Sequence, residues 1–436
     1  MIILAGCSSN SKEDAEATIA IETPTIVIND ERPDYITSFE TTETEDIQEE
    51  VVQEPEYVEI YDDVNKVYSR ECANEEEVVL CFAGDTCFYD DFSLMGAYRD
   101  RGENIDNCID AQLLQEMRGA DIFMINNEFC YSDRGAPIQG KQYAFRSKPS
   151  NVKILTDMGA DIVSLANNHA YDWGPDALSD TVDVLNGEKI PFVGAGKNIE
   201  EAMKPAYFKV NGITISFVSA TQIERVGNPD TKEATEDSPG VLRTLNSKKA
   251  CQVISTAKEN SDFVVMYVHW GSENTDLVEQ SQRDLAKDYI DAGVDLIIGD
   301  HSHCLQGVDF IGDVPVFYSM GNYWFNSKTV DTGLAKITVN NNAEITGIQF
   351  IPGKQTGCKT ITVDESESQR ILAYLQGISG YADIDTNTGY ITKSDTNKNT
   401  QNGQNTSPTK KDESTVNVTN IDNSNDTENE SNGGSL

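Results

Sequence analysis

The chain has 436 residues, of which 33 are Lys or Arg and 73 are Asp or Glu, so its net charge is −40. This acidity argues against nucleic acids and anionic membrane surfaces as partners, because both require a basic surface. No run of 18 apolar residues occurs, and we therefore predict no helix that spans a bilayer. The length is sufficient for one large domain or two ordinary ones.

The first seven residues, MIILAGC, end in Leu-Ala-Gly-Cys at Cys7. This ending resembles the lipobox of bacterial lipoproteins, in which the cysteine is lipidated and becomes the mature N-terminus. The apolar stretch before Cys7 is shorter than the roughly 7–15 residues of a secretory signal, so we expect residues 1–7 to be a truncated signal. On this interpretation the protein is extracytoplasmic, and a lipid anchor at Cys7 is its only attachment to the cell membrane.

Charge and composition separate two flanks from the middle of the chain. Residues 8–77 have a net charge of −18 and few large apolar residues, so we expect a disordered acidic tether, although a short strand near VEIYDDV remains open. Residues 356–436 are expected to form a C-terminal extension, with a disordered tail rich in Asn, Ser and Thr from about residue 381. The folded domain is therefore expected between residues 78 and 355.

Short apolar runs bounded by Gly, Asp or Asn indicate buried strands in the middle of the chain. They lie at residues 77–85, 120–128, 160–169, 190–196, 213–220, 262–271, 294–303 and 314–322. Helical patterns follow several of these runs, at 151–159, 174–188 and 280–293. The alternation predicts an α/β domain with largely parallel strands, closed by a β-hairpin over 334–352.

Polar residues with ligand chemistry cluster at the carboxyl ends of these predicted strands. They include all four histidines of the chain, and the full set is Asp85, Glu128, Asn168, His169, His269, His301 and His303. In open α/β sheets, ligands bind beyond the carboxyl ends of the strands. Taken singly, Asp85 and Asn168 could be turn residues and His269 a packed strand residue, so the prediction rests on their occurrence together.

The residue types in this set predict a metal site. Imidazole, carboxylate and side-chain amide oxygen together suit first-row ions such as Mn²⁺, Fe²⁺ or Zn²⁺. His301 and His303 can flank two neighbouring ions if the chain turns there, and Glu128 is the candidate for a bridging carboxylate. His169 is then placed to protonate a leaving group.

Six motifs in this order resemble those of CapA-type proteins of poly-γ-glutamate capsule synthesis, which are similar to the calcineurin-like metallophosphoesterases. They are FAGDTCF, INNEF, SLANNHAYDWG, VHWGSE, GDHSHCLQG and YSMGNYWF, and the likeness covers about residues 78–352. The resemblance implies a metallo-dependent phosphatase-like fold, an α/β sandwich of two β-sheets flanked by helices. It also implies one or two divalent metal ions.

The resemblance implies a role for each matching residue. Asp85 and His303 would bind the first ion, and Glu128 would bridge to the second. Asn168, His269 and His301 would bind the second ion, and His169 would be the catalytic acid. Further residues would orient these ligands or contact substrate, namely Asp172, Glu273, Gln306 and Asn322.

One position departs from the phosphoesterase pattern. Those enzymes have a histidine two residues after the first aspartate, where this chain has Cys87. One interpretation is a thiolate ligand or a redox-sensitive rim. The other is a buried thiol that packs near the strand end, since free cysteine is commonly buried.

Two functions from different classes follow from these observations. The first is a metal-dependent hydrolase or transferase at the cell surface, acting on a phosphoester or on an amide or ester of an anionic polymer. The alternative is a non-catalytic accessory for making, exporting or retaining such a polymer, for example poly-γ-glutamate. Membrane proteins of polyglutamate synthesis would be its partners in that case. Residues 78–375 carry a net charge of −17, so an anionic polymer would need cations to approach them.

Overall fold

The computed structural model describes residues 59–72, 74–223 and 231–399. Within these ranges the strands, in chain order, are β1 (Tyr61–Asp62), β2 (Val67–Ser69), β3 (Glu77–Thr86), β4 (Ile122–Asn127), β5 (Cys130–Tyr131), β6 (Arg146–Ser147), β7 (Ile162–Ser164), β8 (Phe192–Val193), β9 (Ala195–Gly196), β10 (Ala206–Val210), β11 (Ile213–Thr221), β12 (Gly240–Val241), β13 (Phe263–His269), β14 (Leu296–Asp300), β15 (Val308–Ile311), β16 (Val314–Phe317), β17 (Asn322–Trp324), β18 (Val330–Asn340), β19 (Ile345–Thr356), β20 (Lys359–Thr362), β21 (Ala382–Ile384) and β22 (Ile391–Lys393).

The α-helices in the same ranges are α1 (Ser93–Asp100), α2 (Ala111–Arg118), α3 (Lys153–Met158), α4 (Gly174–Gly187), α5 (Ile199–Ala202), α6 (Lys248–Glu259), α7 (Gln280–Asp291) and α8 (Glu365–Ile378). The helices predicted from the sequence correspond to α3, α4 and α7, and each is confirmed. α4 has Pro175 in its first turn, where the fixed φ of proline suits a helix and no hydrogen bond is lost. None of the helices in the described ranges is long and apolar enough to cross a membrane.

Two large sheets organise these elements. The first has the strand order β1-β2-β10-β11-β13-β14-β16-β15, and the second has the order β20-β19-β18-β3-β4-β7-β8, with β17 beside β3. The central strands of each sheet are parallel, from β11 to β16 in the first and from β3 to β8 in the second. β18 and β19 are antiparallel and form the predicted hairpin. The predicted α/β sandwich of two sheets is therefore confirmed.

The side chains along each strand determine the order of the layers, because successive residues point to opposite faces. In β3, Val78, Leu80 and Phe82 belong to the apolar cluster between the two sheets. Cys81 and Ala83 belong to the cluster beneath α1 to α4 on the other face. The outer face of β13 packs in the same way against α6 and α7. The chain thus forms a layer of helices, two sheets, and a second layer of helices.

The acidic tether does not extend to residue 77, because residues 59–72 belong to the fold; β1 lies in the VEIYDDV segment, where a short strand remained open, whereas β2 was not predicted. β2 pairs in parallel with β10, and β1 pairs with β2 at the edge of the first sheet. Tyr68 is buried and contacts Phe208, with 5.3 Å between the ring centroids. One strand with a single buried aromatic side chain is enough to add to an open edge, since main-chain hydrogen bonds supply the pairing. Residues 8–58 of the predicted tether, and Cys7, lie outside the described residues.

The disorder predicted from about residue 381 is also wrong for its first part. β21 and β22 form a hairpin, and Ala382, Ile384 and Ile391 are buried in the cluster between the sheets. The N–H of Phe350 in β19 donates to the carbonyl of Gly389 at 2.9 Å, which fastens the hairpin to the second sheet. Three buried apolar side chains among polar neighbours give this segment its order, and composition alone does not reveal them. Residues from 400 onward lie outside the described residues.

Lys66, in the turn between β1 and β2, is buried and provides a test of how the N-terminal strands are held. Its ammonium donates to the carbonyl of Phe192 at 3.0 Å, and burial lowers the pKa of Lys66 to about 7. The unfolded chain keeps this proton up to about pH 10. Between pH 7 and 10 the unfolded state therefore binds more protons, and the contribution of Lys66 to stability rises with pH.

We expect the free energy of unfolding of the wild type to rise relative to that of Lys66→Met by about 2 kcal/mol between pH 7 and pH 9. Urea denaturation of both proteins at each pH measures this difference. Lys209→Met, which removes an exposed lysine from β10, is the matched control. If the free energies of unfolding of the wild type and Lys66→Met differ by the same amount at pH 7 and pH 9, the expectation is contradicted.

Candidate metal centre

The carboxyl ends of the parallel strands bring the polar residues of the site together. Asp85 lies near the end of β3, Glu128 directly follows β4, and His269 is the last residue of β13. His301 directly follows β14, and Asn168 lies in the segment after β7. Because β3, β4 and β7 belong to the second sheet and β13 and β14 to the first, the site lies where the ends of the two sheets meet.

A first group of side chains surrounds one nitrogen of His269. Its Nε2 lies 3.4 Å from Oε1 of Glu128, 3.0 Å from Nδ1 of His301 and 2.7 Å from Oδ1 of Asn168. Ligand atoms of Glu128, His269 and His301 all lie within 4.8 Å of one another, and the three residues are buried. One carboxylate, two imidazoles and an amide oxygen therefore converge in a space that one cation can fill.

A second group shares the same glutamate. Ligand atoms of Asp85, Glu128 and His303 lie within 4.8 Å of one another. Nδ1 of His303 is 3.5 Å from Oδ2 of Asp85 and 2.8 Å from Oδ1 of Asn322. Glu128 thus belongs to both groups, the position expected of a carboxylate that bridges two ions.

The carboxylate of Glu128 is the least satisfied charged group of the site. Its side chain is fully buried, and neither of its oxygens accepts a hydrogen bond from a described residue. Burial, and then the nearby charge of Asp85, raise the pKa of Glu128 well above its usual value. Burial also acts to raise the pKa of Asp85, but the hydrogen bond with His303 and the charge of His269 hold it below its usual value. A bound cation would supply the partner that Glu128 lacks.

The turn after β14 places His301 and His303 on the same side of the chain. Both residues have positive φ, 96° for His301 and 57° for His303. Non-glycine residues avoid this region at a cost of order 1–3 kcal/mol, and such strain concentrates at functional sites. The turn allows two histidines that are only two positions apart to belong to different groups.

Close backbone packing brings Asn322 to the first aspartate. β17 pairs with β3 so that Asn322 lies opposite Asp85. This approach requires a glycine at position 84, because a Cβ atom there would lie 1.9 Å from the carbonyl oxygen of Gly321. Asn322 thereby lies beside His303, with its Oδ1 2.8 Å from Nδ1, and its role in orienting this imidazole stays a prediction.

Two further asparagines, which the sequence analysis does not identify, support the ligands. Nδ2 of Asn126 donates to Oδ1 of Asp85 at 2.7 Å and lies 3.3 Å from Nδ1 of His269. Oδ1 of Asn126 accepts from Nδ2 of Asn167 at 3.0 Å. Each precedes a proposed ligand, in the Asn-Asn-Glu and Asn-Asn-His sequences, and this repeated pair of asparagines is the signal that could have identified them.

His169 lies beside the two groups and belongs to neither of them. Its Nδ1 is 2.6 Å from Oδ2 of Asp172, its Nε2 is 3.9 Å from Oε1 of Glu128, and Phe145 stacks on the ring at 4.1 Å. Burial lowers the pKa of His169, and the charge of Asp172 opposes this effect. Asp172 is itself fully buried and also contacts Lys141, so its carboxylate does not face an open substrate site.

Three further residues named from the sequence, Gln306, Glu273 and Cys87, have other surroundings. The amide of Gln306 is engaged with the 275–277 loop, where it donates to the carbonyls of Thr275 and Leu277 at 3.1 Å each. Glu273 is exposed in the same loop region. Cys87 belongs to neither ligand group, and it is buried in the apolar cluster beneath α1 to α4. Burial raises the pKa of its thiol well above the usual value, and the side chain packs there as a small apolar group.

Comparisons with known proteins can be set beside this geometry. A family model described as "Bacterial capsule synthesis protein PGA_cap" matches residues 79–327. The chain is 34% identical over 206 residues to the PGA biosynthesis protein CapA of Bacillus subtilis, a match that covers 46% of this chain and 53% of that protein. It is 33% identical over 209 residues to the capsule biosynthesis protein CapA of Bacillus anthracis, covering 46% of this chain and 50% of that protein.

A third relative is a Mycobacterium tuberculosis protein named "Probable polyglutamine synthesis accessory protein", 30% identical over 220 residues, with 49% of this chain and 58% of that protein covered. The chain thus spans about half the length of the curated relatives it matches.

Similarities to solved structures are distant. The sulfate thiohydrolase SoxB of Thermus thermophilus gives a TM-score of 0.34 at 13% identity, covering 62% of this chain and 42% of that one. The 5'-nucleotidase of Candida albicans gives a TM-score of 0.32 at 13% identity, covering 64% of this chain and 50% of that one. The family match extends over more than half of the chain and includes every proposed ligand, and the resemblance drawn from the six motifs is confirmed. This chain belongs to the bacterial capsule synthesis protein family PGA_cap.

Proposed function

We propose that this chain is a metal-dependent hydrolase that cleaves a phosphoester, or a related bond, in the assembly of an anionic capsule polymer. The observation that carries the proposal is the carboxylate of Glu128, which is fully buried, accepts no hydrogen bond from a described residue and belongs to both ligand groups. A buried carboxylate in this state is costly unless a cation lies beside it.

The donor atoms fit a first-row divalent ion. Glu128, His269 and His301, with the amide oxygen of Asn168, offer two nitrogens and two oxygens to one ion. Asp85, Glu128 and His303 offer two carboxylates and one nitrogen to a second ion. Mn²⁺, Fe²⁺ and Zn²⁺ accept such mixed sets, whereas Mg²⁺ and Ca²⁺ favour oxygen alone.

Such an ion, when bound, polarises a phosphoryl oxygen and lowers the pKa of a coordinated water. The task of His169 is proton transfer to the leaving oxygen. Asp172 accepts the Nδ1–H of His169, so the ring presents its Nε2 toward the site and the carboxylate stabilises the imidazolium form. Phe145, stacked on the ring, keeps water from that face of the imidazole.

The capsule context comes from the family and from the names of the relatives. Two relatives are named for PGA or capsule biosynthesis, which supports an anionic polymer such as poly-γ-glutamate, or a phosphorylated precursor, as the substrate. Membrane proteins of polyglutamate synthesis are the partners we propose. A cation at the site would also allow an anionic substrate to approach a region of net negative charge.

A non-catalytic accessory role is the second candidate. The relative named as a polyglutamine synthesis accessory protein favours it, and so does the buried thiol of Cys87 at the position where phosphoesterases have a histidine. In this role the site would bind cations and polymer without turnover.

Hydrolysis of phosphoesters and of γ-glutamyl peptides in Mn²⁺, Fe²⁺ or Zn²⁺ is the direct test. We expect His169→Ala to lower kcat about 10²- to 10⁴-fold, because the leaving group loses its acid. Asp172→Asn is expected to lower kcat by its effect on His169. The double variant His169→Ala with Asp172→Asn should therefore have the same kcat as His169→Ala alone. Bound metal, measured by elemental analysis, stays at the wild-type level in both variants.

Asp176→Asn is the matched control, because this aspartate lies on α4 with 64% of its side chain exposed. We expect it to keep wild-type kcat. Wild-type protein that holds metal and cleaves none of these substrates would contradict the hydrolase and favour the accessory role.

Glu128→Gln tests the cation site through stability. With metal chelated, the raised pKa of Glu128 means that its contribution to stability is present below about pH 4.5 and is lost as the pH rises toward the folded-state pKa. We therefore expect Glu128→Gln to be more stable than the wild type by about 1–3 kcal/mol at pH 8, with the gap closing toward pH 4.

Added Mn²⁺ is expected to reverse this order, because the wild type gains more from binding than the amide variant. Urea denaturation with EDTA and with Mn²⁺ measures both effects. Glu188→Gln, which changes an exposed carboxyl, is the control. A metal-free Glu128→Gln protein that is less stable than the wild type at pH 8 would argue against an unsatisfied carboxylate.

Attachment to the membrane through Cys7 is a separate proposal, based on the Leu-Ala-Gly-Cys sequence. We expect a bacterium that expresses the gene with its upstream sequence to incorporate a palmitate analogue into the protein, and Cys7→Ala to abolish the label. Labelling that persists in Cys7→Ala would place the acyl chain elsewhere.

A further inference from the structure

Lys141 is a buried lysine next to the proposed acid. It lies in the segment 132–145 between β5 and β6, and only 7% of its side chain is exposed. Its ammonium donates to Oδ1 of Asp172 and to the main-chain carbonyl of Asn168. A lysine is almost never buried to this degree unless its charge is paired, so the position of Lys141 requires an explanation.

The two acceptors of Lys141 stand on either side of His169 in the chain. Asn168 directly precedes His169, and Asp172 follows it by three positions. The ammonium of Lys141 therefore binds both ends of the turn that carries His169. Asn168 also holds Nε2 of His269 through its side chain, at 2.7 Å, so the same contact links the acid to the first ligand group.

The carboxylate of Asp172 divides its two oxygens between different partners. Oδ1 meets Lys141, whereas Oδ2 faces Nδ1 of His169 and accepts the N–H of Phe145, at 2.6 Å each. Lys141 thus fixes the rotation of the carboxylate, which in turn fixes the imidazole. The N–H of Ile138 donates to the carbonyl of Asp172 at 2.8 Å, so the segment that carries Lys141 is fastened to the same residue.

The charge of Lys141 is needed as well as its hydrogen bonds. Asp172 is fully buried, and a buried carboxylate without a cation nearby is costly. The ammonium of Lys141 supplies that cation at Oδ1, while the other oxygen, Oδ2, faces Nδ1 of His169. A neutral side chain of the same length would leave the carboxylate without a cation and held only through Oδ2.

We propose that Lys141 is the positioning residue for His169, holding Asp172 and the Asn168 carbonyl so that the imidazole keeps one orientation and one tautomer at the site. This inference rests on the proposed function only for the expected fall in kcat of Lys141→Met. The orientation of the ring can be measured without any turnover.

The first experiment is nuclear magnetic resonance of the chelated full chain labelled with ¹⁵N-histidine. The chain has four histidines, so few ring signals are present, and His169→Ala identifies the pair that belongs to His169. We expect the wild-type ring of His169 to give the shifts of a single Nδ1–H tautomer. In Lys141→Met these shifts move toward the average of two tautomers, while those of the other histidines change less.

Lys66→Met is the matched control, because Lys66 is also a buried lysine that donates to a main-chain carbonyl, at the edge of the first sheet. We expect its His169 signals to equal those of the wild type. Signals of His169 that are identical in Lys141→Met and in the wild type would overturn the proposal.

The second experiment uses the metal-loaded protein. We expect Lys141→Met to lower kcat about 10- to 100-fold with KM changed by no more than about twofold, since the loss concerns orientation of the acid. Lys66→Met is expected to keep wild-type kcat. A change confined to KM would overturn the proposal, because it would indicate contact with substrate. Where Lys141→Met does not fold, the double variant Lys141→Met with Asp172→Asn removes both charges, and its kcat should match that of Asp172→Asn alone.

These outcomes separate the two proposals. If the wild type hydrolyses nothing, the proposed function fails, and the ring signals of His169 still decide the role of Lys141. If the wild type is active and Lys141→Met is equally active for each molecule that holds metal, the positioning role fails while the hydrolase stands.

Discussion

Burial of a carboxylate where two sheets meet is the constraint on which the rest of this structure depends. The central strands of both sheets are parallel, so their carboxyl ends lie at one edge, and the polar residues that follow them face each other there. Glu128 occupies the middle of this edge with no exposed surface and no hydrogen-bond donor among the described residues. The neighbouring side chains favour a cation at this place. His269, His301 and His303 bring nitrogen atoms to it, and Asp85 adds a second negative charge that makes a cation still more favourable.

The asparagines of the site orient the side chains of the proposed ligands. Asn126, Asn167 and Asn322 are buried, and each amide is engaged with a ligand or with another of these asparagines. An amide both donates and accepts, so it can hold a carboxylate on one side and a carbonyl or a second amide on the other without adding charge. These uncharged amides therefore hold the ligand side chains in place, and the charges of the site lie on the ligands themselves. Such an arrangement is consistent with side chains that are organised before a cation binds.

The ligand residues named from the sequence come together in the structure because the signals that identify them are local. Apolar runs identify the strands, and a histidine or acid at the end of a run, as at His269 or Glu128, needs no knowledge of the partner strand. Lys141 was not predicted because its partners, Asn168 and Asp172, lie about 30 residues away and its own segment has no periodic pattern. The hairpin of β21 and β22 was not predicted because a few buried residues, such as Ile384 and Ile391, order a segment that is otherwise polar. Gln306 was predicted to lie near the ligands because it belongs to one of the six motifs. Its amide instead bonds to main-chain carbonyls of the 275–277 loop, a contact that no sequence pattern indicates.

The acidity of the chain and the proposed anionic substrate are compatible once distance is considered. At physiological ionic strength, charges separated by more than about 8 Å in solvent are largely screened, so the net charge of the whole chain has little effect on a group already in the site. The charges within the site decide whether an anionic substrate can approach it, and Asp85 and Glu128 are both buried there beside histidines. Without cations the two carboxylates would repel an anion; one divalent ion would neutralise their charge, and two would reverse its sign. The same two carboxylates that would disfavour the proposed substrate in the metal-free chain would therefore hold the ions that attract it, and binding of metal and binding of substrate would then depend on each other.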